Sequence, residues 1–273
     1  FNQAIFLNPD YAIAYNNRGI SHRDLEDYEQ AIEDYSRAIF HNESYAEAYF
    51  NRAVVYQEIG ETESALADFD VALTLNPENI RAYYNRAIVH QTLGNLSNAI
   101  ADYNRVINRN DQFTNAYLNR GIIYQEIGET EKALEDYNRA IELQPTLTEA
   151  IYNRAIAYRQ LGETEASLND LNTVIEQNPD FIQAYYQRGT LLYREGDLEG
   201  ARNDFRRATE ANPDNAQAFY NLGVTERDLG ELERAIDSWT QALTASPTLV
   251  QAVYQRGNAH YELNNIEQAI TDY

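Results

Sequence analysis

The 273-residue chain contains no cysteine and no methionine, one tryptophan, and one lysine, Lys132. Without thiols there is no disulfide framework and no thiol chemistry, and the redox compartment stays open. Without an initiating methionine, the sequence is expected to be part of a longer gene product. Its apolar runs are far too short to span a bilayer and no signal peptide is visible, so no membrane partner is expected. Positive charge is scarce: 21 basic against 43 acidic residues leave a formal net charge of −22. Phosphate backbones are bound by clustered cations, so nucleic acid is a poor partner. An acidic surface either keeps a tyrosine-rich chain soluble or meets a basic partner. No nucleophile elbow, phosphate loop or metal-ligand cluster occurs, so no catalytic, metal or cofactor site is expected and the chain reads as a non-enzyme.

What is present is a period of thirty-four residues, clearest in Thr114 to Leu147, TNAYLNRGIIYQEIGETEKALEDYNRAIELQPTL. Counting each repeat from residue 12, Gly or Ala recurs at position 8 (Gly19, Ala53, Ala87, Gly121, Ala155, Gly189, Gly223, Gly257). Gly recurs at position 15 (Gly60, Gly94, Gly128, Gly162, Gly196, Gly230) and a small residue at position 20. Pro closes many units at position 32 (Pro77, Pro145, Pro179, Pro213, Pro247). Apolar residues between these landmarks are spaced three and four apart, which is helical. Each unit is therefore two helices, with Gly supplying a left-handed turn between them and Pro stopping the second.

In its period and small-residue pattern the chain resembles the tetratricopeptide repeat (TPR) family. The resemblance covers 1–273 as a single array: full repeats 12–45, 46–79, 80–113, 114–147, 148–181, 182–215 and 216–249, with partial repeats 1–11 and 250–273. Departures are local. Glu26 and Asn264 replace the turn Gly, Glu43 and Asp111 the closing Pro, and the family's Trp at position 4 is Tyr, Phe, Ile or Val. The resemblance implies an all-α, right-handed superhelix (an α-solenoid) of antiparallel helix pairs, with the first helix of each pair lining the concave side.

Two columns vary together. Position 7 is Arg (Arg18, Arg52, Arg86, Arg120, Arg154, Arg188, Arg256) wherever position 23 is Asp (Asp34, Asp68, Asp102, Asp136, Asp170, Asp204, Asp272). The one repeat with Leu222 has Ser238. Two antiparallel helices joined at position 15 bring 7 and 23 level, so a partly buried, planar ion pair with a structural role is expected.

Position 6 is an amide throughout: Asn17, Asn51, Asn85, Asn119, Asn153, Gln187, Asn221 and Gln255. An amide donates and accepts at once, which suits the backbone of an extended peptide. The column resembles the asparagine ladder of TPR superhelices. Phe50, Tyr84, Tyr152, Tyr186, Tyr220 and Tyr254 at position 5 add aromatic anchors of the kind protein-binding surfaces use, although packing between repeats is the commoner fate of such a stripe. The family's carboxylate clamp is missing, because Tyr and Ile or Val stand where it needs Lys and Asn. Groove charges nearly cancel, with Arg23, Arg81, Arg159, Arg194 and Arg227 facing Asp24, Glu47, Glu58, Glu126, Glu149, Asp228 and Glu262. His22, His90 and His260 share position 11 with tyrosines and read as packing residues. Two sequons, Asn42-Glu43-Ser44 and Asn95-Leu96-Ser97, would carry glycans only in an exported protein.

The expected function is a scaffold for an extended peptide or partner protein. The alternative uses the ends: the chain begins and stops within a second helix, at position 24 each time, so one molecule's C-terminal piece complements another's N-terminal piece. Such a heterologous contact builds a head-to-tail filament. A fragment of a longer array gives the same ends.

Overall fold

In the computed structural model, which describes residues 1–273, all regular structure is helical, and each helix ends where the repeat predicts. The helices gather into two compact units, Phe1–Leu143 and Gln144–Tyr273. The first holds α1 (Asn2–Leu7), α2 (Ala12–Asp24), α3 (Tyr28–His41), α4 (Ala46–Glu58), α5 (Thr62–Leu75), α6 (Ile80–Thr92), α7 (Leu96–Arg109), α8 (Thr114–Glu126) and α9 (Thr130–Leu143). The second holds α10 (Thr148–Leu161), α11 (Thr164–Gln177), α12 (Ile182–Glu195), α13 (Leu198–Ala211), α14 (Ala216–Asp228), α15 (Leu232–Ala245), α16 (Val250–Glu262) and α17 (Ile266–Asp272). No helix is long and apolar enough to cross a membrane.

Each pair turns through a left-handed residue, with φ between 73° and 85° at the six turn glycines. Glu26 and Asn264 adopt φ 61° in the same place without being glycine. The turn geometry is therefore set by the helix pair, and the side chain present there bears the steric consequence.

Within a pair, a small residue at position 8 lets the large side chain at position 24 pack directly against the first helix. A Cβ added to Gly223 would lie 2.7 Å from the indole nitrogen of Trp239, and one on Gly121 would lie 2.7 Å from the Tyr137 ring. Where position 8 is Ala53, Ala87 or Ala155, the facing residue is Phe69, Tyr103 or Leu171, each fully buried. Position 3 is alanine in every repeat, from Ala14 to Ala252, and all of these are buried, which lets neighbouring pairs within each unit approach closely. In the first unit the longest described cluster runs from Phe50 on α4 to Ile123 on α8, with smaller ones around Tyr15 and Tyr35. In the second, separate clusters form around Phe205 and Trp239.

The two columns that vary together meet as expected. Arg120 donates from Nε to Asp136 Oδ2 at 2.8 Å and from Nη2 to Oδ1 at 2.5 Å, and the same fork joins Arg18 to Asp34, Arg52 to Asp68, Arg86 to Asp102, Arg154 to Asp170, Arg188 to Asp204 and Arg256 to Asp272. The acceptors are buried, Asp102 to 1% exposure. The third guanidinium nitrogen reaches position 25 of the preceding repeat: Asn2, Ser36, Asp70 and Asn104 accept from Arg18, Arg52, Arg86 and Arg120 in the first unit, and Asn172 and Thr240 from Arg188 and Arg256 in the second. Tyr at position 4 also has a reason: the Arg120 guanidinium lies 5.7 Å from the ring centres of both Tyr117 and Tyr124, and Arg52 lies 5.8 Å from Tyr49 and Tyr56.

Candidate functional site

The position-6 amides emerge on the first helix of each pair, in all but the Leu222 repeat one residue before the arginine that pins that helix to its partner. Asn17, Asn51, Asn85, Asn119, Asn153, Gln187, Asn221 and Gln255 are all half-buried, so each has one side against the protein and one toward solvent. Much of their hydrogen bonding is already used between repeats. Asn119 donates to the Tyr84 hydroxyl at 3.1 Å and Asn221 to the Tyr186 hydroxyl at 3.2 Å, each tying position 6 to position 5 of the repeat before. Asn51 donates to Asn16 Oδ1 at 2.9 Å, and Asn16 in turn donates to Asn17 at 3.4 Å. Gln187 and Gln255 accept from Arg159 at 2.6 Å and Arg227 at 2.8 Å. Position 5 explains the remainder: the residue preceding Asn85 in this register is Phe50, which has no polar atom to offer, and Asn85 makes no side-chain hydrogen bond. Asn153 makes none either.

Of the tyrosines chosen as anchors, Tyr84, Tyr152, Tyr186 and Tyr220 are half-buried and packed within their own repeats, whereas Tyr254 is 59% exposed. Tyr84 lies 4.9 Å from Phe113 and Tyr152 4.9 Å from Phe181, ring centre to ring centre, and Tyr186 meets Phe205 edge-on at 5.9 Å. Tyr220 accepts the Trp239 indole N–H through its carbonyl at 3.3 Å. Phe50 departs most from the expectation of an exposed anchor. It is 5% exposed, beneath the Arg81 guanidinium, which stands 5.2 Å above its ring.

Open cavities lie along these first helices. In the first unit one of about 430 Å³ is bordered by Glu47, Phe50, Asn51, Asn79 and Arg81, and another of about 340 Å³ by Arg23, Val54, Gln57, Glu58, Arg81 and Asn85. In the second unit a cavity of about 200 Å³ lies against Tyr152, Ile182, Tyr186 and Gln187, and one of about 210 Å³ against Tyr193, Arg194, Phe205, Tyr220 and Asn221.

Two groove interactions have no counterpart in the single-column reading of the sequence. Arg23 on α2 grips Glu58 on α4 through several hydrogen bonds, one of them 3.0 Å from Nε to Oε2. Tyr193 on α12 donates its hydroxyl to Asp228 on α14 at 2.5 Å, and burial followed by that carboxylate pushes its pKa up to about 12. Both link position 12 of one repeat to position 13 of the next. The signal was there as a pair of columns offset by one repeat, but only in these single instances.

The histidines sit where the tyrosines do. His90 is 9% exposed, with a buried Nδ1 that has no partner, and burial lowers its pKa. The repeat with Leu222 is rebuilt around Glu226 at position 11. Glu226 is 4% exposed and accepts from Ser238 Oγ at 2.6 Å, and burial raises its pKa.

Family models for the tetratricopeptide repeat match residues 12–45, 46–79, 81–147, 121–185 and 186–250. Among solved structures, the C-terminal part of a TPR repeat-containing protein from Cytophaga hutchinsonii is 17% identical, with a TM-score of 0.75 over 88% of this chain and 98% of its own. A tetratricopeptide repeat protein from Parabacteroides merdae is 20% identical, with a TM-score of 0.66 over 91% and 98%. YrrB, described as a TPR protein with an unusual peptide-binding site, is 26% identical, with a TM-score of 0.59 over 68% and 95%. No curated protein sequence matches.

Proposed function

The chain belongs to the tetratricopeptide repeat family, a family of protein-interaction scaffolds, and from that premise we propose that it holds an extended peptide, or an extended segment of a partner protein, along the face formed by its first helices. On this reading residues 1–273 are one array, and the amides of position 6 are its peptide-binding column. The observation that carries the reading is the state of that column: each amide is half-exposed in every repeat, and Asn85 and Asn153 keep both donor and acceptor uncommitted. Amides of this kind match a strand-like backbone without regard to its side chains. The similarity to YrrB supports the same direction.

The test is to select short random peptides on the full chain and measure their affinities by fluorescence anisotropy. Losing two hydrogen-bonding side chains is worth about tenfold in affinity at about 1 kcal/mol or less each, so the Asn85→Ala, Asn153→Ala double variant is expected to weaken binding by that factor. Selected peptides that bind the double variant unchanged would place recognition elsewhere.

A second reading, head-to-tail association, draws on the apolar side chains exposed on the terminal helices: Phe6 and Leu7 on α1 at 78% and 73%, and Ile270 on α17 at 69%. Sedimentation at rising concentration checks it. A mass that grows with concentration supports association, and a monomer throughout removes it.

A further inference from the structure

In a protein this acidic, nearly every arginine is spoken for. All but four pair with a carboxylate, the exceptions being Arg81, Arg159, Arg194 and Arg206. Arg206 lies outside the groove on a second helix, near Glu226, and Arg159 is held by Gln187. Arg81 is exposed, forms no hydrogen bond or ion pair within the protein, and holds its guanidinium over the buried Phe50 ring, 5.2 Å from the ring centre. It also borders both first-unit cavities.

The charge around it is local and unbalanced. In the cavity of about 340 Å³, Arg23 and Glu58 neutralise each other, which leaves the Arg81 guanidinium as the one uncompensated charge. Gln57 and Asn85 border the same cavity with side-chain amides that have no partner in the protein. In the cavity of about 430 Å³ on the other side, Glu78 is held by Arg109 at 3.2 Å and Glu47 is the unpaired acid. A guanidinium seated over an aromatic face is shielded from water on one side, and its own planar fork matches a two-oxygen acceptor.

We propose that Arg81 is the docking point for an acidic side chain, the carboxylate of an internal Glu or Asp in an extended peptide, which accepts from the guanidinium and from the amides of Asn85 or Gln57. The carboxylate belongs to a side chain rather than a chain terminus because open space with amide groups continues on both sides of Arg81, with Asn51 and Asn79 bordering one cavity and Gln57 and Asn85 the other. The net charge of −22 points toward a basic partner, yet a ligand lysine here would face an unpaired guanidinium, and like charges brought together are costly. The inference rests on the proposed peptide groove and adds the chemistry of its ligand.

The test uses the full chain and four fluorescent peptides: alternating Glu and Thr with both ends blocked, the same with Gln for Glu, the same with Lys for Glu, and the Gln peptide with a free C-terminal carboxylate. Anisotropy is read at about 0.15 M salt, where repulsion from charges beyond about 8 Å is screened. The blocked Glu peptide is expected to bind about tenfold or more tightly than the blocked Gln peptide, the Lys peptide more weakly than both, and Arg81→Gln to erase the Glu preference. A Gln or Lys peptide equal to the Glu peptide overturns the proposal, as does a Glu preference that survives Arg81→Gln. If the free-ended Gln peptide gains the Arg81-dependent affinity instead, a terminal carboxylate is the occupant and the assignment to a side chain is wrong. Binding that depends on Asn85 but ignores peptide charge leaves the groove reading standing without this one. If none of the four peptides binds, both readings fall.

Discussion

Every nitrogen of the Arg120 guanidinium is held: Asp136 takes two, Asn104 takes the third, and the rings of Tyr117 and Tyr124 lie with their centres 5.7 Å from it. Its removal leaves Asp136, 4% exposed, as a buried carboxylate without a cation. Breaking such a pair costs about 3 to 5 kcal/mol, whereas replacing both partners with apolar groups is close to neutral. Arg120→Leu is therefore expected to lower stability by that amount in urea unfolding, and Arg120→Leu with Asp136→Leu to recover most of the loss. Equal losses in the single and double variants would mean the two side chains are not energetically coupled. Glu226 is another buried carboxylate with no arginine fork, since its repeat has Leu222 and Ser238 in place of Arg and Asp and Ser238 donates to it. Its folded pKa is raised by burial, so the native state binds its proton more tightly than the unfolded chain. Stability from this group is then complete below the ordinary value near 4.5 and is lost as pH rises through the raised folded value. Glu226→Gln keeps the hydrogen bond with Ser238 and is expected to raise the melting temperature at pH 7 while leaving it unchanged near pH 4. A wild-type advantage at pH 7 would show that the carboxylate is better compensated than its surroundings imply.

Between helices, the turn at position 15 is the element where sequence and backbone disagree. Glu26 holds φ 61° between α2 and α3, a region where a Cβ costs roughly 1 to 2 kcal/mol. Glu26→Gly removes that penalty and gives back part of it as unfolded-state entropy. A net gain of about 1 kcal/mol, read from chemical denaturation, is expected; a loss would mean the Glu26 side chain contributes something the backbone conformation does not show. The helix pairs, their turns and the Arg–Asp fork were legible because identity at a fixed offset survives many repetitions, and the exception at Leu222 and Ser238 was informative in itself. Position 25 was not legible. Asn2, Ser36, Asp70, Asn104, Asn172 and Thr240 share only the capacity to accept a hydrogen bond, and Arg206 occupies that position just before Leu222, where an arginine at position 7 would have met it. The amide column was visible, but its commitment to hydroxyls one repeat back depends on how neighbouring pairs cross. For the same reason Phe50 read as an anchor when it is the floor beneath Arg81.

At the scale of the molecule, a chain in which each repeat touches only its neighbours has stability that is a sum of repeat and interface contributions rather than one cooperative quantity. The interior pairs of the first unit share a cluster that passes through five consecutive helices, α4 to α8, so no one of them can open without exposing apolar surface on both sides. At the ends the balance differs: α1 contains no buried residue and α17 only Ala269, while Phe6, Leu7 and Ile270 stand exposed. Local opening is cheapest where little apolar area is lost, and hydrogen exchange measures that opening residue by residue. Protection is therefore expected to be greatest across α4 to α8 and to fall toward α1 and toward α17, with the backbone amides of α1 exchanging close to the unprotected rate. The steepness of the fall depends on interface energy, so Arg120→Leu, which removes a contact to Asn104 in the preceding pair as well as the fork to Asp136, should lower protection in α7, α8 and α9 more than in α2 or α3. Uniform loss across the first unit would instead mean that it unfolds as a single block, and the nearest-neighbour description would not apply to it.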